Sequence, residues 1–439
     1  MDIQLVKDKK NKYVSQGGIH IIHQLFRQYG IDQYINRLFP GREKQSRYQD
    51  SEILLGLCYS IYCGSSFLED VNRLRTTFTD PRHYHGIRIP SSDTIKYRIQ
   101  QLSEETRMVV NKGKKGQIEH HFNLSEHANK ILVQISKKTN PHWSITSQTV
   151  DYDNTLIHTT KGDSQKIYKG NYGYQPGIMF IGSIPVYVEG RGGHTPSNYL
   201  IDQTVERGVE VLKQEGVKVK RLRIDTAAFQ KSMFEYLEKN PELIYYIRGR
   251  KGRDIWELEG KKRRGRTIQL KKNKTAQYIE LEKFVPGGLE KDHTCRVIVY
   301  RYYDPDQQLD LFQDKYVYYA IYTNDRESTA LEVIRQYNKR GEAEQNIERL
   351  KNDFNWIHPP FDNLACNTVY FILTAIANIL YYWLLRKISK YFKEFRTRVR
   401  IKYFIFSFVN VVARWVKKGR KIILCLYTDR PYDKLLGFT

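Results

Sequence analysis

The stretch that decides the fold is Tyr337-Asn338-Lys339-Arg340-Gly341-Glu342-Ala343-Glu344-Gln345-Asn346-Ile347-Glu348-Arg349-Leu350-Lys351. Read as one helix at roughly 100° per residue, it brings Tyr337, Arg340, Glu344 and Lys351 within an arc of about 60°. Glu342 projects roughly 140° from Tyr337 and leaves that stripe, whereas Glu348 stays on it and competes with Glu344. Taken alone, a helix of this kind is a solvated face with i,i+4 ion pairs more often than a site.

Two acidic strand ends lie upstream. In Thr149-Val150-Asp151-Tyr152-Asp153-Asn154-Thr155 the alternation of strand side chains puts Asp151 and Asp153 on one face, so geometry does not separate them. In Arg223-Ile224-Asp225-Thr226-Ala227-Ala228-Phe229 the acid falls where a strand gives way to a helix, the place where open α/β sheets bind substrates. An isolated aspartate there is more often a helix N-cap. Carboxylates at strand ends and on a facing helix are what two-metal phosphoryl chemistry uses, because hard oxygens hold the divalent cations.

Around these acids the periodicity divides the chain. Apolar residues at helical spacing from 18 to 102 (Ile21, Ile22, Leu25, Phe26; Ile53, Leu54, Leu57, Ile61) predict a helical N-terminal region, 1–125. Ser91-Ser92-Asp93 caps a short amphipathic helix carrying Lys96 and Arg98, and with a helix near 67–74 it resembles a helix-turn-helix whose cations face DNA. Gly113, Lys114 and Lys115 read as a connection. Strands at 144–153, 184–188 and 217–225 alternate with helices at 198–214 and 229–239, predicting an α/β core over 130–243 and 323–362. Between its parts, 244–322 is rich in Tyr, Val, Ile and Thr and reads as a β-rich insertion. The C-terminal region, 363–439, reads as helical. Its stretch 364–385 is long and apolar enough for a membrane span, but Asn367, Thr368, Thr374 and Asn378 favour a buried helix, and no membrane partner is expected.

A net charge of +24 over 439 residues makes a polyanion the first partner to consider, nucleic acid before a membrane surface. The densest basic run is Lys261-Lys262-Arg263-Arg264-Gly265-Arg266, followed by Lys271, Lys272 and Lys274, and it is expected on DNA backbone. A later cluster, Arg396, Arg398, Arg400, Lys402 and then Lys417, Lys418, Arg420, Lys421, is expected to position DNA. Tyr168, Tyr172 and Tyr174 interleave with Lys166 and Lys169, a pattern that suits base stacking and loop packing equally. Five scattered cysteines without a C-x-x-C pair suggest neither a disulfide framework nor a zinc site. Residues 1–12 are polar and Lys-rich with no signal-peptide pattern, so a cytoplasmic setting is expected.

Tyr337, two residues, Arg340, three residues, Glu344, six residues, Lys351 matches without deviation the Tyr-Arg-Glu-Lys signature of bacterial insertion-sequence DDE transposases. With Asp151-x-Asp153-x-Thr155, Arg223-x-Asp225, Gly170-Asn171-Tyr172-Gly173-Tyr174-Gln175-Pro176 and the Asn367 segment, the chain most resembles the insertion-sequence-thirteen-eighty family, also called DDE transposase group 1. The likeness runs from about residue 17 to 423. It implies an α/β fold with an RNase H-like catalytic core and a β-rich insertion between the second Asp and the Glu, preceded by a helical DNA-binding domain and followed by C-terminal helices.

It also implies cut-and-paste transposition: metal-dependent cleavage and 3′-OH strand transfer at terminal inverted repeats, using two Mg²⁺ ions for which Mn²⁺ substitutes. Catalytic and metal-binding roles fall on Asp151 or Asp153, Asp225 and Glu344; the Asp-x-Thr element favours Asp153. Tyr337, Arg340 and Lys351 are expected on phosphates beside the scissile bond. The implied partners are terminal-repeat and target DNA, with a homodimer in the synaptic complex on the bacterial nucleoid. Ala227-Ala228 and His194-Thr195-Pro196-Ser197-Asn198 match the family pattern only loosely. A catalytically inactive domesticated DNA-binding protein and an RNase H-like nuclease without joining activity are the rival readings.

Overall fold

The computed structural model describes residues 13–41, 46–78, 87–113, 116–167, 169–260, 262–263, 265–271, 274–286, 294–305, 315–396 and 399–437. A mixed sheet of eleven strands organises it, in the spatial order Arg266–Lys271, Lys274–Phe284, Cys295–Tyr303, Tyr316–Thr323, Ile244–Gly249, Val219–Ile224, Gln148–Asn154, Gly177–Ile181, Ile184–Arg191, Gly116–Asn123 and Arg107–Gly113. Val219–Ile224 runs parallel to both its neighbours, and the other pairings are antiparallel.

Ile184–Arg191 is buried along its whole length because helices cover the sheet on both sides. On one face, Asn129 of the helix Glu126–Thr139 bonds both backbone groups of Val188, at 2.8 and 2.9 Å. The helix Leu364–Ile388 comes so close on this face that a Cβ at Gly190 would collide with Thr368 Oγ1. On the other face Gly208, in the helix Ile201–Gln214, admits the Met179 and Tyr187 side chains.

Leu364–Ile388 is apolar around its whole circumference and long enough to cross a membrane, but here protein encloses it. Asn367 and Thr374 are satisfied inside that core. Asn367 exchanges hydrogen bonds with both backbone groups of Phe361 (3.0 and 2.8 Å), and Thr374 Oγ1 accepts from the Trp356 indole at 2.9 Å. The N-terminal helices Asp50–Tyr62 and Ser92–Leu102 pack against it, with the Tyr62 hydroxyl donating to the Ala377 carbonyl at 2.7 Å.

Several expectations are corrected. The N-terminal region is not helical to residue 125: Arg107–Gly113 and Gly116–Asn123 form a hairpin joined to the main sheet only at its root, by Phe122 and Asn123. Its outer part combines exposed Lys112 and Gln117 with exposed Val110. Within 244–322 the strand Ile244–Gly249 pairs directly with Val219–Ile224, and the later strands extend that edge of the main sheet. The C-terminal region is not all helical. Ala413–Lys418 and Lys421–Leu426 form a hairpin turned by Gly419 at φ +62°, which pairs with Tyr13–Val14.

The helix-turn-helix reading also fails. Thirteen residues separate the helices Val71–Phe78 and Ser92–Leu102, against the three or four of that motif. Arg98 faces inward, 5% exposed, with Nε 2.7 Å from Asp50 Oδ1 and an N–H donated to the Pro40 carbonyl at 3.0 Å. Its neighbours at helical spacing, Ile95, Ile99 and Leu102, are buried too, and the whole inner face carries it into the core. Arg98→Ala strands a buried carboxylate, and the expected loss in denaturant unfolding is about 3 kcal/mol. DNA affinity of the remaining folded protein is expected to be unchanged; a specific affinity loss without destabilisation would restore the surface reading.

Candidate active site

The two acidic strands lie side by side and parallel, with Arg223 opposite Asp151 and Ile224 opposite Tyr152. That register carries Asp225, one residue beyond its strand, next to Asp153, since neighbouring strands lie about 4.8 Å apart. It also resolves how the two aspartates of the first strand differ. Asp151 is 1% exposed, and Arg223 grips its carboxylate with two bonds of 2.6 Å while donating a third to the Gln336 carbonyl at 2.9 Å. Asp153, two residues on, reaches the open end of the strands.

There Arg340 gathers the acids. Its guanidinium lies 3.4 Å from Asp153, 3.8 Å from Asp225 and 3.3 Å from Glu344. Asp225 is both an N-cap and a member of this group: it accepts the Ala227 N–H at 3.0 Å and still exposes about a third of its side chain. Glu344 stands in the first turn of the helix Gly341–Asp353, where the helix N-terminus favours a carboxylate, and its side chain is 70% exposed. Glu348 does not contact Arg340 in this group and accepts from Asn352 at 3.3 Å.

Burial, reinforced by Asp225 and Glu344 and opposed by Arg340, pushes the Asp153 carboxyl up to about 6. The three acids supply hard oxygen donors, the chemistry that suits Mg²⁺ or Mn²⁺. Among the described residues no three His, Cys, Asp or Glu side chains stand close enough to share a metal ion, and the acids are spread around the Arg340 cation instead.

Asp153 and Asp225 open onto a cleft of about 470 Å³ that Asn154, His158, Gln175 and Lys351 also line. Lys351 donates to the Leu156 carbonyl at 3.1 Å. Burial and the neighbouring Lys169 ammonium hold it below the ordinary lysine range, against the pull of Glu348. Arg340 Nε and Asn154 Nδ2, beneath the cleft surface, are buried donors without a hydrogen-bond partner.

The signature stretch is not one helix. It breaks into Ala330–Asn338 and Gly341–Asp353, with Lys339 and Arg340 keeping right-handed dihedrals while bonds tighten to the i→i−3 pattern. Tyr337 therefore leaves the shared stripe. It is 8% exposed and packs with Tyr246, Ile298, Tyr300 and Ile334, so it braces the site rather than presenting a ring to solvent. Burial pushes its hydroxyl up to about 12, leaving it protonated near Arg340, Arg248, Asp225 and Asp153.

Lys96 pairs with Glu69 at 2.6 Å. Lys262 and Arg263 pair with Glu259 at 3.6 and 3.4 Å on exposed surface, and Arg266 is exposed on an edge strand. Lys261, Arg264, Lys272, Tyr168, Arg398, Lys114 and Lys115 lie outside the described residues. Of the remaining interleaved tyrosines, Tyr172 is half exposed and Tyr174 is buried, its hydroxyl on Asp163. Sequence reasoning missed Arg223 as the partner of Asp151 and Asn154 as a cleft donor; both sat inside quoted motifs, and the strand register was the missing signal.

The family model described as transposase DDE domain group 1 matches residues 5–438. Among solved structures, a piggyBac transposase determined by cryo-EM as a synaptic complex with hairpin DNA is similar at 11% sequence identity, over 90% of this chain and 80% of that chain, with a TM-score of 0.42. No curated protein matches the chain.

Proposed function

The chain belongs to the transposase DDE domain group 1 family, and on that footing we propose that it is the cut-and-paste transposase of a bacterial insertion sequence, of the insertion-sequence-thirteen-eighty type. Its sheet and covering helices are read as an RNase H-like core. Asp153, Asp225 and Glu344 are the catalytic carboxylates, and Asp151 is a buried structural partner of Arg223. The observation that carries this is the convergence of those three acids, from two neighbouring strands and one helix, on the guanidinium of Arg340.

Two Mg²⁺ ions, or Mn²⁺, held by these carboxylates would activate the attacking oxygen and stabilise the leaving one. The chain's own residues do the rest. Arg340 offsets the mutual repulsion of the three acids and keeps them facing one point. Lys351, in the cleft lining, holds the strand by its ammonium group. Tyr337 buttresses Arg340 from the apolar side. The high positive charge draws in terminal-repeat and target DNA, and the protein works as a homodimer in the bacterial cytoplasm.

Incubating the protein with Mg²⁺ and DNA bounded by the inverted repeats of its element is expected to yield joined products carrying the excised 3′ ends. Cleavage without joining would leave a nuclease; neither would leave a DNA-binding protein.

A second expected result concerns Asp153 without metal. Its folded carboxyl titrates near 6 rather than at the ordinary 3.8, so it is neutral in both folded and unfolded chains at low pH. As pH rises through this window the folded state resists ionising and loses stability. Asp153→Asn is therefore expected to raise the Tm of metal-free protein at pH 7.5 and to leave it unchanged below pH 4. An equal Tm at both pH values would refute the shift.

A further inference from the structure

The stretch 395–428 holds nine Lys and Arg and no Asp or Glu. Within it Ile405–Val409 is a π-helical turn, closed by the Asn410 N–H on the Ile405 carbonyl at 2.9 Å. Such turns are rare and concentrate at functional places. Phe404 and Phe408 turn inward there and stack on each other, ring centroids 5.0 Å apart at 13°, both 0% exposed. Phe406, between them, is 77% exposed. Its surroundings do not cover it, for Tyr403 and Val412 are about half exposed as well.

The charge around this ring selects its partner. Lys402 lies one helical turn before Phe406, and Lys402 and Arg396 are exposed. The preceding acid, Glu394, is engaged by Arg430 at 3.1 Å. Arg400 ties the segment to the catalytic region, binding Asp353 at 2.7 and 2.9 Å. Asp353 ends the helix that begins beside Glu344, about 14 Å away along its axis and thus about four nucleotide steps of a strand at 3.4 Å each. An apolar ring held out among cations, with no acid beside it in the chain, fits the face of a nucleobase flanked by phosphates.

We propose that Phe406 is a stacking platform for an unpaired base of bound DNA, with Lys402 and Arg396 on the adjoining phosphates. This rests on the DNA-transaction reading above. It gives the C-terminal region a role separate from the carboxylates: holding the strand end open once it is unpaired.

The test compares the full-length protein on two arbitrary-sequence probes by fluorescence anisotropy: a duplex of about thirty base pairs, and the same duplex with four unpaired bases at one end. Stacking of one base predicts a preference of roughly tenfold for the frayed probe. Phe406→Ala is expected to erase that preference while Tm and affinity for the paired duplex stay at wild type, and Phe406→Trp to keep it. A preference that survives Phe406→Ala overturns the proposal, as does its survival in Phe406→Leu, which would mean an apolar wedge rather than stacking. If wild type binds both probes equally, the platform falls and the transposase reading stands. If it binds neither, both fall.

Discussion

Glu344→Ala is expected to lower strand cleavage and strand joining together, by roughly 10³-fold or more, while Glu348→Ala leaves both near wild type. The two glutamates sit one turn apart on the same helix and share its exposed face, so helical position alone makes them near equals. Their surroundings do not. Glu344 meets the cation that also meets Asp153 and Asp225, and its high exposure leaves it free to close on a bound ion. Glu348 is engaged with Asn352 and is not among the acids gathered by Arg340. Because three ligands act as a unit, Asp225→Ala and Glu344→Ala are expected to be no worse together than singly. The measurement is formation of nicked and joined DNA with Mg²⁺. Full activity in Glu344→Ala with loss in Glu348→Ala would overturn the assignment.

The second large effect separates two aspartates that lie two residues apart. Asp151→Ala is expected to destabilise the fold by about 3–5 kcal/mol, because it leaves the Arg223 guanidinium buried without its carboxylate. Asp153→Asn is expected to abolish catalysis with the fold intact. Denaturant unfolding and DNA joining, measured on both variants, form a crossed pair: one variant fails on stability and the other on chemistry. The assignment survives only if they cross that way. A stable, inactive Asp151→Asn beside an active Asp153→Asn would exchange the two roles.

How much was legible beforehand differs by element. The buried helix Leu364–Ile388 could be read from its four polar residues, because a span would leave Asn367 unpaired in lipid, whereas the core pairs it with the Phe361 backbone. The basic balance and the order of the three acids were legible for a similar reason: each is a property of composition or of position along the chain. Arg98 misled because a cation on a short amphipathic helix is ordinarily outside, and only Asp50, 48 residues away, makes its burial tolerable. The C-terminal hairpin was hidden by its apolar alternation being brief, and it forms with help from Tyr13–Val14 at the other end of the described chain.

By itself the sequence determined the spacing from Tyr337 to Lys351, the order of the candidate carboxylates and the strongly basic balance, since these depend on residue identity and order. Tertiary structure alone decided which acids meet. The parallel register of Gln148–Asn154 and Val219–Ile224 puts Arg223 on Asp151 and leaves Asp153 beside Asp225. The break at Lys339 and Arg340 sinks Tyr337 into the core and turns Arg340 toward the acids. The Arg223–Asp151 and Arg340–Asp153 pairings join residues 72 and 187 apart, and the local periodicities of a chain carry no information about register between distant segments.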